Sequence, residues 1–292
     1  MTTQDCPPTA ERLARAAVRR PSRLLVWIIL LASLALLGYG WVAKWRELKA
    51  YSWHIEGWPL GLAWLLFAAT LGIVIFIWRR ILHRLGGNST WSQDARIYCA
   101  ANLAQRLPTP IWFLAGRVLM TSEIGIPKRI SSLAVLLEWV AGFVGGLVTI
   151  LALLPFEGAG SLMRPYAWGL LLAASACLVI ILQPRILLRL AAWAAVRLGH
   201  AQGALPAISH RQMLTWVGLW IAPWLVSGAM FCFLARAVYP PAWAHWPSLM
   251  LIWVAGGVVS RLSAFVPGGL LLREFTITMM LSTLVPTSIA VV

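Results

Sequence analysis

Acidic residues are scarce in this chain. Among its 292 residues, nine Asp and Glu stand against 24 Lys and Arg, which gives a formal net charge of +15. Charged residues of both signs make up only 11% of the chain, whereas hydrophobic residues make up 60%. Soluble globular domains carry about 25% charged residues. The composition therefore excludes an ordinary soluble protein and predicts an all-α, polytopic integral membrane protein.

Motifs for metals, nucleotides and catalysis are missing as well. The four cysteines form no CxxC pattern, and the five histidines form no HxxxH or HExxH pattern. There is no GxxxxGKS/T loop for ATP, and no DxD or HxxxD loop of the kind expected in a membrane-embedded transferase. We therefore expect no metal, no cofactor and no enzymatic activity in this chain.

Long apolar runs, almost free of charge, predict the membrane spans. A run of about 20 such residues is enough to cross a bilayer. Together they predict about six or seven transmembrane helices, within one membrane domain over 24–292. The runs lie at 24–43, 59–78, 130–156, 166–183, 213–235, 248–266 and 275–292.

The basic residues indicate orientation and lipid contact rather than nucleic acid, because most stand in short connectors between the runs. Fifteen Lys and Arg fall on one predicted side and five on the other. This asymmetry places the basic N-terminal segment, 1–23, in the cytoplasm. Several of the 18 tryptophans, such as Trp58, Trp78 and Trp243, stand near span ends and are typical of aromatic belts.

Two apolar segments, 97–120 and 261–274, are broken by proline. In the first, Pro108 follows Arg106 and precedes Arg117. A proline removes a helical hydrogen bond and clashes with the preceding turn, so these segments are predicted to be broken or re-entrant. Paired breaks in opposite halves indicate a transporter-like site between two pseudo-repeats, about 24–183 and 184–292, although two unrelated kinks would look the same.

Charged residues beside these breaks are the candidate site residues. Because a charge in a bilayer is costly, we expect pairs of Arg117 with Glu138 and of Arg261 with Glu274. Such pairs either lock helices together or orient arginines that bind a phosphate head group. The cationic lining would consist of Arg106, Arg117, Arg261 and Arg273. Backbone amides at Gly268 and Gly269 could also hold an anion.

The run NLAQRLPTPIWFLAGRVLM, the helix with Glu138 and the late PGGLLLRE resemble the flippase-like membrane domain of the lysylphosphatidylglycerol synthase and UPF0104 family. The resemblance covers about residue 24 to the end. It maps the family's motif residues onto Pro108, Arg117, Glu138, Pro267, Gly268, Gly269 and Glu274. Thr109 with Pro110, and Leu271, depart from the glycines usual in the family, and the family usually continues for a further helix or two beyond the late motif.

This resemblance implies a multi-pass protein of a bacterial-type inner (cell) membrane. Its implied function is to move an anionic lipid, or a lipid-linked molecule of polyprenyl, glycolipid or hopanoid type, between leaflets. Its partners would be membrane lipids that are anionic or carry phosphate, and a homo-oligomer is left open. The alternatives are a non-catalytic scaffold subunit of a lipid or envelope biosynthesis pathway, or a membrane-embedded lipid transferase.

Overall fold

The computed structural model describes residues 55–104, 111–156, 208–262 and 269–285, together with residues 169 and 175. Over these ranges the chain is helical and has no strand, as predicted. The N-terminal segment 1–23, the predicted spans 24–43 and 166–183, and the pseudo-repeat boundary at 183/184 lie outside the described residues.

Seven α-helices make up the described part of the chain. Four are long: α1 (Gly57–Arg84), α4 (Lys128–Leu153), α5 (His210–Val238) and α6 (Trp246–Leu262). Three are short: α2 (Trp91–Ala104), α3 (Ile111–Glu123) and α7 (Gly269–Leu281). Short 3-10 turns, Leu154–Phe156 and Pro240–His245, extend α4 at its end and precede α6.

Four helices in the described ranges are long and apolar enough to cross a membrane: Gly57–Arg84, Lys128–Phe156, His210–Val238 and Pro240–Leu262. They correspond to four of the predicted runs and support a membrane protein. Large apolar side chains on α1 are exposed, which suits contact with lipid tails better than contact with water. They are Trp58, Trp64, Leu65, Phe67 and Phe76.

The last predicted run, 275–292, does not form one span. The helix begins earlier, at Gly269, and ends at Leu281 after 13 residues, and residues 282–284 form a turn. A helix of 13 residues is only about 20 Å long, which is shorter than the hydrocarbon core. The two charged residues that precede the predicted run, Arg273 and Glu274, therefore lie inside α7.

The helices on either side of each proline-containing segment pack against each other. The first hairpin consists of α2 and α3, which flank residues 105–110; the second consists of α6 and α7, which flank 263–268. The described arms of the first hairpin have 14 and 13 residues, fewer than the roughly 20 residues that a span needs. The second hairpin differs, because its first arm is one of the four long helices.

The long helices pack closely because α4 carries glycines where α5 and α6 cross it. A Cβ atom on Gly145 would lie 2.8 Å from Cβ of Trp220, and one on Gly146 would lie 2.6 Å from Cγ2 of Val258. Small residues of this kind let helix backbones approach inside a membrane, where no hydrophobic force drives helices together. The contact brings α4 against both α5 and α6, and α1 packs on both α4 and α5.

We expect Gly146→Ala to destabilise the protein by about 1–3 kcal/mol, because the added methyl group overpacks the contact of α4 with Val258 and Trp224. The measurement is the free energy of unfolding in mixed detergent micelles. Gly72→Ala in α1 is the matched control, since a Cβ there meets nothing within 4 Å. Equal stability of the two variants would contradict the close packing.

Candidate functional site

A buried ion pair joins the first hairpin to α4. The guanidinium of Arg117, on α3, donates from Nη2 to Oε2 of Glu138, on α4. Only 2% of Arg117 and 3% of Glu138 is exposed. The predicted pairing of these two residues is therefore confirmed, and it takes place in an apolar interior where neither charge could remain alone at low cost.

Two aromatic residues complete this cluster. The hydroxyl of Tyr98, on α2, donates to Oε1 of Glu138 over 3.3 Å, and the guanidinium of Arg117 lies 4.6 Å from the centre of the Tyr98 ring. The same guanidinium lies 3.8 Å from the ring centre of Trp78, on α1. Trp78 has no exposed surface, so its assignment to an aromatic belt is wrong. Four helices thus meet at one ion pair.

Sequence reasoning missed Tyr98 and Trp78 because both are uncharged. One signal was present: Tyr98 stands in the broken segment, and a buried carboxylate needs hydrogen-bond donors beyond one arginine. Nothing in the sequence indicates which of the 18 tryptophans would lie over Arg117.

Arg261, on α6, has no carboxylate partner among the described residues. Its Nη1 donates to the carbonyl oxygen of Trp139 over 3.3 Å. Its guanidinium lies 4.5 Å from the ring centre of Trp220 and 5.4 Å from that of Trp224, both on α5. The residue as a whole is half-buried.

The predicted pair of Arg261 with Glu274 is wrong. Glu274 is exposed and has no ion-pair partner among the described residues. Arg261 faces α4 and α5 from α6, and the rings and carbonyl of those helices take the place of the expected carboxylate. An aromatic face attracts a cation through its quadrupole, so a tryptophan can satisfy a guanidinium that sequence reasoning assigns to an acid.

Gly142 provides the space that Arg261 occupies. A Cβ atom at this position would lie 2.6 Å from Nη1 and 2.7 Å from Cζ of Arg261. The carbonyl of Gly142 also accepts a hydrogen bond from the indole of Trp224 at 2.8 Å. The guanidinium is therefore pressed directly on the backbone of α4, one turn beyond Glu138. Because Trp139 and Gly142, which contact Arg261, lie on the same helix as Glu138, Arg261 packs on α4 close to the ion pair.

The remaining candidate residues are distributed more widely. The guanidinium of Arg273, on α7, lies 4.6 Å from the ring centre of Trp253, on α6. Gly269 is the first residue of α7. Arg106, Pro108, Pro267 and Gly268 lie outside the described residues.

A second polar cluster joins α1 to the start of α2. The carboxylate of Asp94 is fully buried and accepts hydrogen bonds from the hydroxyl of Ser89 at 2.8 Å and from Arg79 at 3.1 Å. His83 contacts the carbonyl oxygen of the same serine at 3.0 Å. The turn between the helices contains Gly86 with a φ of 92°. These contacts hold the two helices together and do not involve the Arg117 cluster.

No group of three or more His, Cys, Asp and Glu residues that could hold a metal occurs in the part of the chain that the structure describes. No protein-family model, curated protein or solved structure matches the chain. Among the described residues, the site contains the guanidiniums of Arg117 and Arg261 and the carboxylate of Glu138 in an apolar surrounding.

We expect Arg117→Met and Glu138→Leu each to lower the free energy of unfolding by about 3–5 kcal/mol, because each leaves a buried partner uncompensated. The double variant should cost less than either single one, since it leaves no buried charge in the pair. Unfolding in mixed micelles measures all three, with Arg129→Met, at an exposed position, as the control. Additive losses in the double variant would show that the two side chains are not coupled.

Proposed function

We propose that this protein is a flippase-like transporter that moves an anionic lipid or lipid-linked molecule between membrane leaflets. The observation that carries the proposal is the half-buried cation Arg261, which has no carboxylate partner among the described residues and lies beside the Arg117–Glu138 pair. A phosphate group needs such a site to leave the head-group region, because an unpaired charge in hydrocarbon is costly.

A shared arrangement in the two hairpins supports this proposal. In each hairpin an arginine of the second arm stacks on an aromatic ring of the first arm. Arg117 lies over Tyr98 and Arg273 lies over Trp253, both at 4.6 Å from the ring centre. Transporters built from two repeats form their substrate site between corresponding interrupted helices. We therefore propose that the two hairpins belong to two pseudo-repeats and border the lipid path.

The resemblance to the flippase-like domain of the lysylphosphatidylglycerol synthase and UPF0104 family agrees with this function. We also propose a bacterial-type inner membrane on the basis of this resemblance, and a cytoplasmic N-terminus on the basis of the excess of Lys and Arg on one predicted side. In this arrangement the first hairpin is re-entrant: α2 and α3 enter the membrane and return to the same side. The described contacts favour no particular transferase or scaffold role.

Lipid movement by the purified protein tests the function. We expect vesicles containing the wild-type protein to expose inner-leaflet fluorescent phosphatidylglycerol to an impermeant quencher. Arg261→Gln should reduce the rate about tenfold or more, because a charge-assisted contact is lost. Gly142→Ala should act in the same direction, since the methyl group displaces the guanidinium.

Two matched variants complete this experiment. Gly218→Ala adds a methyl group where nothing lies within 4 Å, and Glu123→Gln removes an exposed carboxylate. Both should leave the rate unchanged. The transport proposal is wrong if the wild-type protein moves no labelled lipid, and Arg261 has no role in it if its variant moves lipid as fast as the controls.

Labelling of introduced cysteines tests the re-entrant hairpin. The start of α1 is hydrogen-bonded to the end of α5, from Glu56 N to Ala237 O over 3.1 Å, so Ala244 lies near that end of the helices. Asn88 follows the opposite end of α1. In a protein whose native cysteines are replaced, we expect Asn88→Cys and Lys128→Cys to react with an impermeant thiol reagent only after permeabilisation. Ala244→Cys should react in intact cells, and opposite reactivity at 88 and 128 would mean that the hairpin crosses the membrane.

A further inference from the structure

A cation and an anion lie side by side where α1 begins and α5 ends. Glu56 immediately precedes α1, and Arg236 lies in the last turn of α5. The backbone N–H of Glu56 donates to the carbonyl oxygen of Ala237 over 3.1 Å, which fixes the start of α1 beside Arg236. Both helices are long and apolar enough to cross a membrane, so we expect this pair to lie at the level of the lipid head groups.

The two charges attract each other without forming a hydrogen bond. Nε of Arg236 and Oε2 of Glu56 are 3.9 Å apart, beyond the roughly 2.7–3.2 Å of a hydrogen bond. Nε of Arg236 is buried and has no hydrogen-bond acceptor among the described residues. The carboxylate of Glu56 makes no capping bond to α1, although it stands at the N-cap position. Because 30% of the Arg236 side chain and 38% of the Glu56 side chain are exposed, a ligand can reach both.

Aromatic rings hold the guanidinium of Arg236 in position. Its Cζ lies 4.6 Å from the ring centre of Trp58 and 5.2 Å from that of Trp243. The ring of Phe233 packs on both tryptophans, with ring centres 6.2 Å and 5.0 Å apart. The rings come from α1, α5 and the 3-10 turn that precedes α6. A guanidinium that is already fixed in this way loses less side-chain freedom when it binds a ligand.

The pair of Glu56 and Arg236 matches a head group that carries both charges. A guanidinium can donate to two oxygens of one phosphate, and a carboxylate accepts hydrogen bonds from an ammonium group. In a phosphoethanolamine head group a short linker separates the phosphate from the ammonium, so one molecule can contact both side chains. A head group with a phosphate alone would place its negative charge beside Glu56 without an ammonium to contact the carboxylate.

An exposed apolar face of α1 begins at the same place. Trp58, Leu65 and Phe76 are exposed and stand seven and eleven residues apart, which places them on one side of the helix. Tryptophan is common at the boundary between head groups and hydrocarbon. The acyl chains of a lipid whose head group contacts Arg236 can therefore lie along this face.

From these contacts we infer that Glu56 and Arg236, with the rings of Trp58 and Trp243, form a binding site for a lipid whose head group carries both a phosphate and a primary ammonium. Phosphatidylethanolamine has this chemistry. Arg236 holds the phosphate, and Glu56 accepts hydrogen bonds from the ammonium. The residues of this site do not contribute to the Arg117–Glu138 pair or to the contacts of Arg261.

Lipid binding to the wild-type protein tests the inference. Native mass spectrometry of the delipidated full chain in micelles gives the affinity of the first lipid bound. Phosphatidylethanolamine is compared with its N-acetylated derivative, which has the same phosphate and acyl chains but no ammonium. We expect phosphatidylethanolamine to bind about tenfold more tightly, because the derivative lacks the charge-assisted contact with Glu56. Equal affinities would overturn the inference.

Two variants assign the selectivity to these side chains. Glu56→Gln should reduce the affinity ratio of the two lipids about tenfold, to about one, since only the ammonium contacts the carboxylate. Arg236→Gln should weaken both lipids about tenfold, since both carry the phosphate. Arg80→Gln and Glu123→Gln, at exposed positions on other turns of the described helices, are the controls and should keep the wild-type affinities.

Unchanged binding in both variants would place the lipid elsewhere and overturn the assignment. The ratio of two affinities does not depend on how much of a variant is folded. If one variant fails to fold, the comparison on the wild-type protein and the other variant still decide.

A soluble head group separates a lipid ligand from a free one. Glycerophosphoethanolamine has the phosphate and the ammonium but no acyl chains, and we expect it not to displace the lipid at equal concentration. Displacement would assign the site to a soluble zwitterion and overturn the lipid assignment. Because binding is measured without lipid movement, this inference and the transport function can fail independently.

Discussion

An arginine cannot remain unpaired in an apolar interior, and this constraint organises the described part of the molecule. Arg117 meets it with one carboxylate and two aromatic rings, which come from three other helices. The ion pair thereby ties the first hairpin to α1 and α4. Because removal of either charge would leave the other buried without compensation, loss of one partner would destabilise the packing of the hairpin.

Arg261 meets the same constraint in a different way. Aromatic rings and a backbone carbonyl hold its guanidinium, and Gly142 supplies the space. These neutral groups stabilise a cation without cancelling its charge. Arg261 thus carries a positive charge that is fixed in position and that no carboxylate among the described residues cancels. The glycines of α4 permit the close approach of α4, α5 and α6. This approach lets the rings of α5 and the backbone of α4 contact Arg261 together.

Sequence reasoning predicted the partner of Arg117 correctly because the chain offers few acidic residues to choose from. Acidic residues are so few that Glu138 was the evident partner for Arg117, and the structure confirms that pair. The same reasoning failed for Arg261 and Glu274, because it considered only charged partners and ignored tryptophan. The prolines of both predicted breaks lie outside the described residues, and the helix α7 begins before the expected run and ends within it.

The sequence by itself determined the helical class and the four long apolar helices of the described residues, because length and hydropathy act locally along the chain. Only the tertiary structure decided which rings lie over the arginines, which glycine admits Arg261 and which carboxylate stays exposed. These features depend on the rotation of each helix about its axis and on contacts between residues far apart in the chain. Hydropathy and charge do not specify either one, since many helix rotations bury the same apolar surface.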